Sequence, residues 1–167
     1  MRNAEEWIRD LELRPLPEEG GWYNEVYRSD EFLAQRDLPA RFGGKRTFCT
    51  SIYYLLKGSD FAAFHRIRQD ETWHFYEGSG LVVHVIDPHG TYTQVKLGRA
   101  FDDGERFQAT VKRGCLFAAA VSRPDSFSLV GCTVAPGFEF QDFEAPARAR
   151  LLEEYPRHRD VILRLTR

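Results

Sequence analysis

Apolar positions change their spacing along this chain, and the change divides it into three stretches. Near the start, Trp7, Ile8 and Leu11 recur at helical spacing behind Asn3, with Glu6 three positions on as in a capping box. This predicts a short helix, closed by Leu13-Arg-Pro-Leu-Pro17. After Gly20-Gly21 the period shortens to two: in WYNEVYRS, Trp22, Asn24 and Val26 alternate with Tyr23, Glu25 and Tyr27. From Arg46 onward, short runs rich in β-formers follow one another: RTFCTSIYYLL, FAAFHRI, ETWHFY, LVVHVI, TYTQVKL, ERFQATV, CLFAAAV and FSLVGCTV. Turn signals close them, among them Lys57-Gly-Ser-Asp60, Glu77-Gly-Ser-Gly80 and Asp87-Pro-His-Gly90. Strands of this length and spacing predict an antiparallel barrel or sandwich, not βαβ units. In the last stretch, Ala145 to Arg167, Leu151, Leu152, Val161, Ile162 and Leu165 return to helical spacing around Pro156. One or two amphipathic helices are expected there. No repeat or linker interrupts the pattern. The expectation is one domain over residues 1–167, with a barrel at about 20–144 and a helical segment at about 145–167.

Charge removes several classes of partner. Lys and Arg number 23 against 25 Asp and Glu, so nothing electrostatic favours nucleic acid or an anionic membrane. No apolar run approaches membrane-spanning length, and the polar N-terminus lacks the features of a secretory signal, so a cytoplasmic location is expected. Cys49, Cys115 and Cys132 are odd in number and widely spaced, which fits buried free thiols. The 13 Phe, 7 Tyr and 3 Trp suit a sizeable barrel interior or pocket.

Candidate chemistry concentrates in FHRIRQDETWHFYEG, where His65 precedes Glu71 and Gly78 follows. This resembles the first signature of the cupin superfamily, His-x-His, a few residues, Glu, six residues, Gly. Ile67 stands at the second histidine position. The second signature, Pro-x-Gly-x-x-His, is matched only at Gly114. Lys112 replaces its proline and Phe117 its histidine. EGGWYNEVYRS, SIYYLL, FHRIRQDETWHFYEG and SFSLVGCTVAPGFEFQDFE, in this order, resemble the fifth cupin family, a domain of unknown function. The resemblance implies an all-β, antiparallel double-stranded β-helix (the jelly-roll barrel) with a short N-terminal helix and C-terminal helices. It also implies a homodimer, for which WYNEVYRS is the expected exchanged or edge-pairing strand.

Cupins turn their signature glutamate inward, and strand alternation then places Trp73 and Phe75 inward with Glu71. The same rule groups Phe117 with Cys115. Ser51 and Tyr53 are the favoured inward pair of their strand, with Ile52 and Tyr54 the other parity; Cys132 is placed inward beside them. The expected catalytic set is His65 and Glu71 as an imidazole–carboxylate pair, with Tyr53 as opposing proton donor. Ser51, Trp73, Phe75, Phe117 and Cys132 are the expected ligand-binding residues. Two of the usual four metal ligands are missing, so no metal or other cofactor is expected, although weak divalent binding at His65 and Glu71 stays open. The function expected is binding of a small molecule, with epimerisation or isomerisation of a sugar-like or nucleotide-sugar ligand by His/Tyr proton transfer. A non-catalytic binding or sensing module and a metal enzyme with incomplete ligation are the alternatives.

Overall fold

The computed structural model describes residues 2–167. Helix α1 (Ala4–Asp10) begins as expected: the Asn3 side chain accepts from the Glu6 backbone N–H, and the Glu6 side chain accepts from that of Asn3. Twelve strands follow: β1 (Arg14–Pro15), β2 (Trp22–Arg28), β3 (Phe32–Leu33), β4 (Arg46–Thr47), β5 (Thr50–Lys57), β6 (Phe61–His65), β7 (Asp70–Gly78), β8 (Leu81–Ile86), β9 (Tyr92–Leu97), β10 (Gln108–Val111), β11 (Leu116–Val121) and β12 (Phe127–Ala135). Helices α2 (Arg148–Glu154) and α3 (Arg159–Arg164) end the chain, with Pro156 between them.

The strands form two facing antiparallel sheets, ordered β1-β2-β5-β12-β7-β10 and β6-β11-β8-β9, with β3 and β4 as a separate ribbon. Large residues from both sheets fill the space between them, including Tyr54, Trp73, Phe75, Val83, Val85, Phe117 and Val130. This is a jelly-roll barrel. The outer faces are not left bare. Trp7, Ile8 and Leu11 pack over Leu55 and Leu129 on the larger sheet. Leu151, Ile162 and Leu165 from the C-terminal segment cover Phe64, Ile86, Leu116 and Ala118 on the smaller. Full burial of each of these three side chains is worth about 1.5–3 kcal/mol, which explains why so short a helical pair stays docked.

Those outer caps have a consequence for β5. Thr50, Ile52, Tyr54 and Leu56 face the barrel interior, while Ser51 and Tyr53 face outward. The expected inward pair is therefore the wrong parity. Tyr53 instead packs beside the α1 cluster and meets the Tyr76 ring edge-on at 5.8 Å.

Candidate functional site

A cavity of about 580 Å³ occupies one mouth of the barrel. Its walls are apolar, built from Leu16, Ile52, Ile67, Val134, Phe138 and Phe143. Into this lining project His65, Glu71, Cys132, Tyr23 and Glu19. The first three were expected there. The last two were not.

His65 ends β6, opposite Phe117 on β11. Its ring lies against the Phe117 ring (centroids 4.1 Å apart) and stacks on Phe143 at 5.2 Å. Nδ1 is 2.7 Å from the Ala63 carbonyl oxygen. A carbonyl only accepts, so Nδ1 carries a proton and Nε2 is the nitrogen available for chemistry. That nitrogen is 3.7 Å from the Glu19 carboxyl. The partner of His65 is thus Glu19, which corrects the expected His65–Glu71 pair.

Glu19 reaches the site through a tight turn. Gly20 and Gly21 both have positive φ, +105° and +75°. A Cβ on Gly20 would collide with the Phe61 carbonyl oxygen, and one on Gly21 with the Tyr54 hydroxyl. The turn is held by Ala63 N–H donating to Glu19 O (2.7 Å) and by the Tyr54 hydroxyl donating to Gly20 O (2.8 Å). Tyr54 is therefore inside the barrel but committed to the backbone. Tyr23, on the cavity face of β2, makes no hydrogen bond through its hydroxyl among the described residues.

Glu71 lies between Val111 and Val134 in the sheet and is buried. Burial pushes its carboxyl up to about 8, and the nearby Glu19 charge adds to the rise; a hydrogen bond with the Cys132 thiol opposes it. Burial also raises Glu19, against the pull of His65 and Tyr54. The Cys132 thiol is held well above its usual range by burial and by Glu71, so it is a neutral partner and not a nucleophile. Near neutral pH, Glu71 is a buried carboxylic acid able to donate a hydrogen bond or a proton.

Of the other expected ligand contacts, Trp73, Phe75 and Phe117 belong to the packed interior and do not line the open cavity. Ser51 lies on the outer face of β5 and takes no part. His74 points out of the barrel, its Nε2 3.1 Å from the Thr133 hydroxyl. His84 also faces outward, 2.6 Å from the Tyr92 hydroxyl through Nδ1, and burial helped by Arg164 pushes it down to about 4. Neither reaches the mouth.

Of the four cupin ligand positions, His65 and Glu71 keep donor side chains. Ile67 and the Phe117 ring stand where two cupin ligands would be, and neither side chain can bind a metal. Among the described residues, no three His, Cys, Asp or Glu side chains are grouped so as to hold a metal ion.

Two sheets closed around a mouth that carries an inward histidine and glutamate define a cupin barrel. The chain belongs to the Cupin superfamily family DUF985, whose model matches residues 5–146. It is similar over its whole length to a protein from Shewanella oneidensis of known crystal structure, at 41% identity and a TM-score of 0.88, covering 99% of that chain. A hypothetical protein from Leishmania major is 35% identical, with the same TM-score and 99% of each chain covered. Oxalate decarboxylase from Bacillus subtilis shares the fold at 14% identity and a TM-score of 0.57, over 95% of this chain and 37% of that one. No curated protein matches the chain. No helix among the described residues is long and apolar enough to cross a membrane.

Proposed function

We propose that the barrel mouth binds a small, uncharged, sugar-like molecule and moves a proton on it, as in epimerisation or isomerisation. The observation that carries this is the convergence of the His65 imidazole, the buried Glu71 carboxyl and the partly buried Glu19 carboxyl between apolar walls. An apolar filling of the same mouth would avoid the desolvation of those groups. In this scheme His65 takes a proton through Nε2. Glu71, neutral up to about pH 8, donates to the developing oxyanion in place of the tyrosine expected at Tyr53. Tyr23 adds a hydroxyl from the facing wall.

The lining also bears on the ligand's charge. Glu18, Glu19, Glu25, Glu71 and Glu139 border the cavity, and Arg28 at the rim is bonded to both Glu25 and Glu139 at 2.8 Å. A nucleoside diphosphate would find no free cation there, so a neutral sugar is favoured over a nucleotide sugar. A non-catalytic binding module is the second reading, favoured by Nε2 of His65 being directed at Glu19 within the protein.

One experiment separates the two. A thermal-shift screen of neutral sugars should find a stabilising ligand, worth about 2.7 kcal/mol at a hundredfold excess over its dissociation constant. Each variant is compared with its own ligand-free form, and Glu71→Gln should show a smaller shift. The ligand's carbon-bound protons are then followed by NMR in heavy water with wild type and His65→Gln. Exchange in the wild type alone supports catalysis, binding without exchange supports the second reading, and no ligand at all refutes both.

The proposal also has the site work without a transition metal. Elemental analysis of protein purified without chelators should give well under one metal per chain; a stoichiometric metal lost on His65→Ala would overturn it. We further propose that the protein is a homodimer, with the exposed Val26 and Tyr27 of β2 at the pairing surface.

A further inference from the structure

A second concavity lies outside the barrel, behind the wall that Ile67 and Phe143 share with the mouth. It measures about 640 Å³ and is bordered by four arginines, Arg41, Arg66, Arg68 and Arg113. Two carboxylates also border it, and both are engaged. Asp142 is bonded to the buried Arg46, and Glu144 to Arg66 through both oxygens, at 2.7 and 2.9 Å. Among the described residues, the other three guanidiniums have no carboxylate within hydrogen-bond distance. The nearest to Arg68 is Asp142, at 3.9 Å.

Arg41 and Arg68 are nonetheless held in place. Arg41 Nε donates to the Arg68 carbonyl at 2.9 Å, and Arg68 Nη1 donates to the Arg41 carbonyl at 2.6 Å. Carbonyls fix the guanidiniums without cancelling their charge, so each keeps unused N–H groups. Arg113 is bonded only through its backbone N–H, to Asp70, whose carboxyl is also taken by Lys112 at 2.9 Å. The Arg113 guanidinium has no partner among the described residues. Like charges bordering one concavity repel, and the arrangement is stabilised when a multivalent anion enters between them. Planar forks of N–H donors match phosphate oxygens in pairs.

We propose that this groove is a binding site for a small phosphate-bearing anion, separate from the ligand site in the barrel. The probe is inorganic pyrophosphate, titrated calorimetrically at constant ionic strength. One saturable site per chain is expected. Binding should weaken about tenfold or more in Arg68→Ala and in Arg113→Ala, the loss of one charge-assisted hydrogen bond in each. Arg36→Ala, a change at an exposed arginine elsewhere, should bind as the wild type does. Arg113→Ala removes no intramolecular side-chain bond, so it reports on the groove even where Arg68→Ala disturbs the loop. Absence of saturable heat in the millimolar range overturns the proposal. So does equal weakening by Arg36→Ala, which marks bulk electrostatics, or unchanged binding in both groove variants. Citrate binding as tightly as pyrophosphate overturns the assignment to phosphate.

Discussion

Replacing Asp142 by alanine should lower the unfolding free energy by about 3–5 kcal/mol, the usual consequence of removing one member of a buried ion pair. Arg46 and Asp142 are both fully buried. Arg46 donates to the two carboxylate oxygens from Nε (2.7 Å) and Nη2 (2.5 Å), and its Nη1 is satisfied by the Gly44 and Lys45 carbonyls. Gln69 donates to the same carboxylate at 2.7 Å. Without Asp142 the guanidinium stays buried with no counter-charge, and Gln69 loses an acceptor. Folded domains typically hold only 5–15 kcal/mol in total, so much of the stability would go. The double variant Arg46→Met/Asp142→Leu should recover part of the loss, because it leaves no buried charge behind. Urea denaturation of the three proteins measures both effects; a loss under about 1 kcal/mol in Asp142→Ala would show that the pair is solvated in solution. The pair matters to the site as well as to the fold. Gln69 lies two residues before Glu71, and Asp142 immediately precedes Phe143, which stacks on His65. The network therefore ties the segment that carries Glu71 to the one whose Phe143 ring stacks on His65, and ligand binding in Asp142→Ala should suffer beyond what its stability alone explains.

What the sequence disclosed follows from how many faces of each strand are buried. On β7 one face is buried and the other carries Thr72, His74 and the exposed Tyr76, so alternation correctly groups Glu71, Trp73 and Phe75. On β5 the outer face is covered by α1, so both parities offer large apolar or aromatic residues and period two loses its meaning. That is why alternation alone does not decide between Ser51 with Tyr53 and Ile52 with Tyr54 as the inward pair. β8 behaves the same way under the C-terminal helices, so the run LVVHVI does not by itself say which face carries His84. Glu19 was hidden for a different reason. It belongs to a loop, where no periodicity applies, and reaches His65 only because Gly20 and Gly21 turn the chain back toward β6. An acidic residue directly before a glycine pair, inside a segment resembling the family, was the available signal. Tyr23 was grouped with Glu25 by alternation, but nothing in the sequence said which face of β2 looked into the mouth. The Arg46–Asp142 pair joins residues far apart in the chain, and neither carries a local mark of burial.

Replacing Glu71 by glutamine should make the ligand-free protein more stable, and the gain should depend on pH. The carboxyl has its ordinary value of 4.5 when unfolded and is raised by burial to about 8 when folded. Between those values the native state keeps a proton that the unfolded state has released. Wild-type stability therefore falls as pH rises through this window, by up to about 1.4 kcal/mol per pH unit from this group, and levels off above it. Below pH 4.5 both states are protonated and the group makes no difference. At pH 7 the accumulated loss is about 3 kcal/mol. Glutamine resembles the neutral acid in shape and does not ionise, so Glu71→Gln should recover that amount and melt roughly 6–12 °C higher at pH 7. The gain should shrink toward zero at pH 4.5 and grow until about pH 8. Melting curves of both proteins across this range test it. Parallel pH profiles would mean that Glu71 ionises as freely in the folded chain as in the unfolded one. A natural glutamate that weakens the fold at neutral pH is the expected signature of a residue kept for what it does to a ligand. Its replacement should therefore separate two quantities that usually move together: the ligand-free protein becomes harder to unfold, while the stabilisation that a barrel ligand adds becomes smaller.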